Sequence, residues 1–176
     1  MKLIHIAHRG EAQEFLKVLA LKADPQISGL YSNDSIVLVI SGEGVPETIA
    51  KLSYALSKFE VTKIINMGIA GSLSKKVEID SIIEVRTSYM FEDNKPKFKS
   101  FTAESTIDSN SKEYIDCITT NQRVLSDDYA DKLNNWAHTV DRELWGVGFV
   151  SKAFNIPFRS FRLISDMAGA TTQCFV

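Results

Sequence analysis

The chain has few of the residues that staple or metallate small proteins. Its 176 residues include two cysteines and three histidines. Cys117 and Cys174 lie far apart and match no zinc or redox spacing, so they read as free thiols of a reducing compartment. His5, His8 and His138 show neither an HExxH spacing nor carboxylate partners nearby in sequence, which argues against a zinc site. No apolar run is long enough to span a bilayer. The start, Met1-Lys2-Leu3-Ile4-His5-Ile6-Ala7, lacks the longer apolar core and cleavage site of a signal peptide. A surplus of one charge is missing too: the formal net charge of −2 sets up no global field for nucleic acid or an anionic membrane. The expectation is a cytoplasmic protein whose partners are neither nucleic acid nor membrane. There is no GxxxxGK[ST] phosphate loop. The clusters Gly42-Glu43-Gly44 and Gly68-Ile69-Ala70-Gly71 both fail the dinucleotide fingerprint and by themselves read as tight turns.

What is present is an ordinary globular composition, 44% hydrophobic and 24% charged, in a length that suits a single domain over 1–176. Strand and helix patterns alternate from the start. Lys2 to Ala7 reads as a strand and Glu11 to Lys22 as a helix, with a stripe at Phe15, Leu16, Leu19 and Ala20. Ile27 to Tyr31 and Ile36 to Ile40 read as strands around an Asn33-Asp34 turn, which suggests an antiparallel hairpin and hence a mixed sheet. Pro46 suits the first turn of a helix running to about Lys58. Short strands follow at Thr62–Asn66 and Ile82–Arg86. The lysine-rich stretch from Phe91 to Ser111 reads as loop or exposed hairpin, Tyr114–Thr119 as a strand, Asp127–Asn134 as a polar helix and Arg142–Phe154 as a helix ended by Asn155 and Pro157. Phe158–Ile164 is a final buried strand. This order predicts a three-layer αβα domain with a central mixed sheet, and in such sheets ligands gather outside the strand ends.

Two carboxylates stand out by context. Asp166 follows Phe161-Arg162-Leu163-Ile164-Ser165 at the carboxyl end of a buried strand, and Glu143 opens an apolar helix in Val140-Asp141-Arg142-Glu143. Taken alone, Asp166 reads as a turn or cap and Glu143 as complementing the helix dipole. His5 alternates along the first strand and reads as a core or supporting residue, whereas His8 at the strand end could reach a site.

The order of motifs changes that reading. Ile64-Ile65-Asn66-Met67-Gly68-Ile69-Ala70-Gly71-Ser72-Leu73 resembles the IINxGxAGxL segment of the methylthioadenosine/S-adenosylhomocysteine nucleosidases. Ser41-Gly42-Glu43-Gly44 is similar to their SGIG loop, and Val140-Asp141-Arg142-Glu143 to their V[ED]ME segment. Asn155-Ile156-Pro157-Phe158 followed by Arg162-Leu163-Ile164-Ser165-Asp166-Met167-Ala168 resembles NxPFxxxRxISDxA in letters and in spacing. The resemblance is thus to the nucleoside phosphorylase superfamily, with the nucleosidase branch the nearest match.

That resemblance implies cleavage of the N-glycosidic bond of a purine nucleoside or related N-riboside, by water or, failing that, by phosphate. It places Asp166 as general acid to the departing base, with Ser165 orienting it. Glu143 would hold the ribose hydroxyls and Glu11 would orient the attacking water. Ala70 and Gly71 would offer backbone groups beside base or sugar, and Arg9 would sit where phosphorylases place a phosphate-binding arginine. Neither a metal nor an organic cofactor is implied, and a homodimer or higher homo-oligomer is. The departures are specific. Arg142 stands where the family carries a methionine against ribose, and Val124 where an aromatic stacks on the base. Gln122 replaces an aspartate, Leu144 and Trp145 replace small residues, and the chain stops at Val176, soon after Asp166. These departures leave a second reading, a nucleoside-binding relative with impaired turnover.

Overall fold

The computed structural model describes residues 1–105 and 114–172. In chain order its elements are β1 (Lys2–Ile6), α1 (Arg9–Val18), β2 (Lys22–Ala23), β3 (Leu30–Ser32), β4 (Ile36–Ile40), α2 (Val45–Lys58), β5 (Lys63–Ser72), β6 (Ile82–Glu92), β7 (Lys95–Pro96), β8 (Phe101–Thr102), β9 (Ile115–Thr120), α3 (Asp127–Asn134), β10 (Thr139–Asp141), α4 (Leu144–Phe154) and β11 (Phe158–Met167). Four helices thus accompany a central mixed sheet.

The sheet runs β10-β9-β6-β11-β5-β1-β4-β3-β2, with β7 and β8 added to β6. β4, β1, β5 and β11 are mutually parallel, and β6 then runs antiparallel to β11. β10 pairs in parallel with β9 and also antiparallel with β5. That second pairing closes β5, β11, β6, β9 and β10 into a ring. β9 thus runs opposite to β1, β5 and β11, and inside the ring its carboxyl end comes level with the second half of β5 rather than with the far end of that strand.

Alternation along the strands sorts the core. On β1 and β4, Leu3, Val37 and Val39 join Leu52 and Ala55 of α2 and Leu144, Val147 and Val150 of α4. The intervening Ile4, Ile6, Leu38 and Ile40 pack instead with Ala12, Phe15 and Leu16 of α1. Each such fully buried aliphatic side chain is worth about 1.5–3 kcal/mol of transfer free energy. α3 closes a separate cluster through Ala130 and Leu133 against Ile118 and Val140.

Several sequence expectations shift. The Asn33 turn forms as read: its Oδ1 accepts from the Ser35 and Ile36 amides, and β3 and β4 pair antiparallel around it. The strand before it is Leu30–Ser32 rather than Ile27–Tyr31. α1 begins at Arg9, because the His8 ring accepts from the Gly10 amide and caps it, and it ends at Val18 rather than Lys22. β5 runs on to Ser72, so Gly68-Ile69-Ala70-Gly71 is strand and not a tight turn. Flanking strands β1, β11 and β10 supply its ladder, which outweighs the low strand propensity of glycine. β10 carries no signature in the sequence, because three residues hold too little pattern. Its presence moves the start of α4 to Leu144, with Glu143 as N-cap and Asn155, at φ 55°, ending the helix. The lysine-rich stretch holds the β6–β7 hairpin and the short strand β8, with Phe91 and Phe101 buried. Residues 106–113 of that stretch, as well as Cys174 and Val176, lie outside the described residues; Cys117 is a buried free thiol.

Candidate active site

A cavity of about 660 Å³ opens along the second half of β5. Glu11, Ala70, Gly71, Val124, Arg142, Glu143, Ser165 and Asp166 all line it. Residues separated by more than a hundred positions are thereby gathered by the pairing of β5 with β11 and β10. Arg9 is not brought in: it is the first residue of α1, solvent-exposed and outside the lining.

Glu143 is positioned by the Gly42-Glu43-Gly44 loop. Gly42 and Gly44 adopt φ values of 89° and 95°, which favour glycine, and the turn presents the Gly44 amide to Glu143 Oε1 at 2.7 Å. Burial, then the neighbouring Asp141 charge, push the Glu143 carboxyl up from 4.5 to about 7; the Gly44 amide, Arg162 and Arg142 pull the other way.

Asp141 and Arg162 form the floor. Arg162 Nη2 donates to Asp141 Oδ2 at 2.7 Å, and their side chains are 2% and 1% exposed. Asp141 is saturated further by Thr119 Oγ1 at 2.6 Å and by the Leu144 amide at 2.9 Å, which makes it a cap for the first turn of α4. Thr119 Oγ1 in turn accepts from the Trp145 amide at 3.0 Å. Neither Asp141 nor Arg162 announces this role in sequence. Regular alternation predicts that Arg162, Ile164 and Asp166 share a face, and hence that Arg162 meets Asp166. A bulge between Ile164 and Asp166 breaks the register against Ala70 and Gly71, and Arg162 pairs with Asp141 instead.

Glu11 enters from the first turn of α1. Burial raises its carboxyl above the ordinary value, opposed first by the Arg162 charge. A side chain at Gly68 would place its Cβ 3.3 Å from Glu11 Oε2 and 3.8 Å from Arg162 Nη1, so the bare backbone at this position leaves the two charged groups room. In the same lining Ser165 Oγ donates to Asp166 Oδ1 at 2.5 Å. Glu11 Oε2 and Asp166 Oδ2 are both shielded from solvent and bond to nothing among the described residues. Two buried carboxylate oxygens with spare capacity in one cavity can accept hydroxyl or N–H groups, or carry a proton to or from a ligand.

The rim carries the departures. Arg142 is ion-paired through Nη1 to Glu43, and Arg123 Nη2 reaches the other oxygen of the same carboxylate at 3.4 Å. Val124 is buried in the α3 cluster while contributing to the wall. Behind the site lies a buried polar chain that sequence reading caught only as a buried His5. Ser160 Oγ donates to Asn66 Oδ1, Asn66 Nδ2 meets His5 Nδ1 at 2.8 Å, and His5 Nε2 meets Ser41 Oγ at 2.9 Å. Burial, then Arg162, lower His5 to about 3, so the ring is neutral. With Asn66 donating to Nδ1, the proton sits on Nε2 and points at Ser41, whose hydroxyl donates to the Gly42 carbonyl at 2.7 Å. The chain thus ties β11, β5 and β1 to the loop that holds Glu143.

A family model described as the phosphorylase superfamily matches residues 5–108. The chain belongs to the phosphorylase superfamily. Comparison with curated proteins gives no match. Among solved structures, the 5'-methylthioadenosine/S-adenosylhomocysteine nucleosidase of Helicobacter pylori, with butyl-thio-DADMe-Immucillin-A, is 20% identical at a TM-score of 0.79, covering 96% of this chain and 86% of that one. Futalosine hydrolase of Helicobacter pylori is 20% identical at a TM-score of 0.80, over 96% and 85%. The 5'-methylthioadenosine/S-adenosylhomocysteine nucleosidase of S. pneumoniae, with the transition-state inhibitor MT-ImmA, is 16% identical at 0.80, over 97% and 87%. At these identities the likeness is one of fold. Of the candidate site residues expected from the sequence, only Arg9 lies outside the cavity lining.

Proposed function

We propose that this chain hydrolyses the N-glycosidic bond of a purine nucleoside or related N-riboside. The observation that carries the reading is the convergence of Glu11, Glu143 and Asp166 on one cavity from three separate elements. Each has chemistry to supply. Asp166, oriented by Ser165, delivers a proton to the purine ring as the C–N bond breaks, a contribution of roughly 100- to 10,000-fold for general acid catalysis. Glu143 in its ionised form accepts the ribose hydroxyls and stabilises the cationic sugar. Glu11, buried enough to be a better base than a free carboxylate, takes the proton of the water that adds to the anomeric carbon. The bonds and charges balance: base and ribose leave with one water consumed, and the enzyme's two proton-carrying carboxylates have exchanged one proton.

The solved neighbours include two proteins named as nucleosidases and one as a hydrolase, and this supports water as the nucleophile. The place of Arg9 outside the cavity lining supports it too, since the candidate phosphate arginine is not at hand. Retention of all three carboxylates favours turnover over an impaired binder. The same reading takes the helices packed on opposite faces of β1 and β4 as a three-layer αβα single domain, and takes the working form to be a homo-oligomer. Purine release should be measured with and without inorganic phosphate. Release in phosphate-free buffer is expected. A strict phosphate requirement rejects hydrolysis, and nucleoside binding without release across a broad panel rejects the enzyme.

A further inference from the structure

The interior of the cavity is rich in carboxylates: Glu11, Asp141, Glu143 and Asp166 all line it, and Arg162 is already committed to Asp141. The other two arginines of the lining, Arg123 and Arg142, both approach Glu43. The backbone run Arg142-Glu143 meets the loop run Glu43-Gly44 residue for residue. Glu143 takes the Gly44 amide, and Arg142 takes the Glu43 carboxylate. Arg123 reaches the other oxygen of that carboxylate at 3.4 Å. Arg142 Nε, moreover, is shielded from solvent and bonds to nothing among the described residues. Glu43 is an exposed side chain of a loop, and exposed ion pairs of this kind are weak. A ligand oxyanion seated deeper, against Arg142 Nε and Nη, would replace the Glu43 carboxylate without leaving the guanidinium unpaired. Planar bidentate recognition of carboxylate or phosphate is what arginine does best.

We infer that the site selects N-ribosides carrying an oxyanion, carboxylate or phosphate, next to the ribose, and that Arg142 takes this group over from Glu43. The inference rests on the hydrolase reading for its substrate and adds the charge of that substrate. Glu43 is then a stand-in carboxylate that keeps Arg142 ordered until substrate arrives, and it competes with the substrate's own anion.

The test compares kcat/KM within two pairs of probes: S-adenosylhomocysteine against 5'-methylthioadenosine for a carboxylate, and adenosine 5'-monophosphate against adenosine for a phosphate. In one pair Arg142→Met should lower the anionic-to-neutral ratio by roughly 10-fold or more, as expected for one lost charge-assisted hydrogen bond. Glu43→Gln should raise the same ratio. The opposite signs separate recognition from general damage, which would depress both members of a pair alike. The pair that responds identifies the anion. Ratios that Arg142→Met leaves unmoved in both pairs overturn the inference, as does an Arg142-dependent stimulation of neutral substrate by inorganic phosphate, which would make Arg142 a co-substrate site. If no riboside is cleaved, the hydrolase reading fails on its own. Equilibrium binding of adenosine 5'-monophosphate and adenosine then decides the inference: a preference for the monophosphate that Arg142→Met abolishes sustains it, and equal binding overturns it.

Discussion

Replacing Glu143 with glutamine should make the protein more stable and less active, and the stability gain should appear only at high pH. Glutamine keeps an oxygen to accept the Gly44 amide but cannot ionise. In the folded protein, burial and Asp141 move this carboxyl from 4.5 to about 7. A folded-state value raised above the unfolded one means that ionisation opposes folding. The group costs nothing below about 4.5, where both states are protonated, and its full cost is reached once pH has risen past the folded value near 7. Moving a carboxyl over that interval corresponds to about 3 kcal/mol. Glu143→Gln should therefore match the parent in urea unfolding at about pH 4 and exceed it by about 3 kcal/mol at about pH 9. Turnover should fall in the same variant by roughly 100- to 1,000-fold, because an anion facing the cationic sugar is gone. The parent's activity should rise with pH as Glu143 ionises through about 7. A stability difference of the same size at both pH values would refute the assignment of burial as the cause. A gain at acid pH alone would reverse its sign.

Asp166→Asn should keep the fold and slow purine release, and a chromogenic riboside with a good leaving group should partly rescue it but not Glu143→Gln; equal rescue would show the two roles assigned wrongly. Arg162→Met leaves Asp141 buried and uncompensated and should cost about 3–5 kcal/mol in urea unfolding, whereas a loss below about 1 kcal/mol would mean that the pair is not structural. Gly148→Ala would place a Cβ 2.5 Å from Phe101 Cβ, so despite the better helix propensity of alanine it should lower stability by about 1–3 kcal/mol, and an unchanged or higher melting temperature would show that β8 yields freely.

The parts of the fold that could be read ahead were those set by local pattern. α2 and α3 begin and end within a residue of expectation, because Pro46 and the Ser126 cap act through their own neighbours. The parts that could not be read depend on pairing between distant strands. β5 keeps its ladder through a glycine cluster only because β11 and β10 flank it, and β10 is too short to declare itself. The site divides the same way. Glu11, Glu143 and Asp166 were visible through motif order, and the cavity brings them together. Asp141 and Arg162 were not, since nothing in their local sequence indicates that a buried ion pair will form across β10 and β11. The role of the Gly42-Glu43-Gly44 loop in holding Glu143 likewise appears only when residues 99 positions apart come into contact.

The bulge at Ser165 is the smallest feature on which the proposed chemistry turns. In a regular strand Asp166 would stand two places beyond Ile164 on the face that carries Arg162, and a guanidinium beside it would favour its charged form and oppose proton donation. The extra residue breaks that sequence of faces. Arg162 stays buried against Asp141, where it still acts electrostatically on Glu11 and Glu143. Asp166 meets the Ser165 hydroxyl and presents a second, unbonded oxygen in the same cavity. One guanidinium can then favour the charged form of two carboxylates that work as anions or bases without capturing the third, which has to give up a proton. Separation of acid from base within a space of about 660 Å³ is in this way a matter of strand register rather than of residue choice.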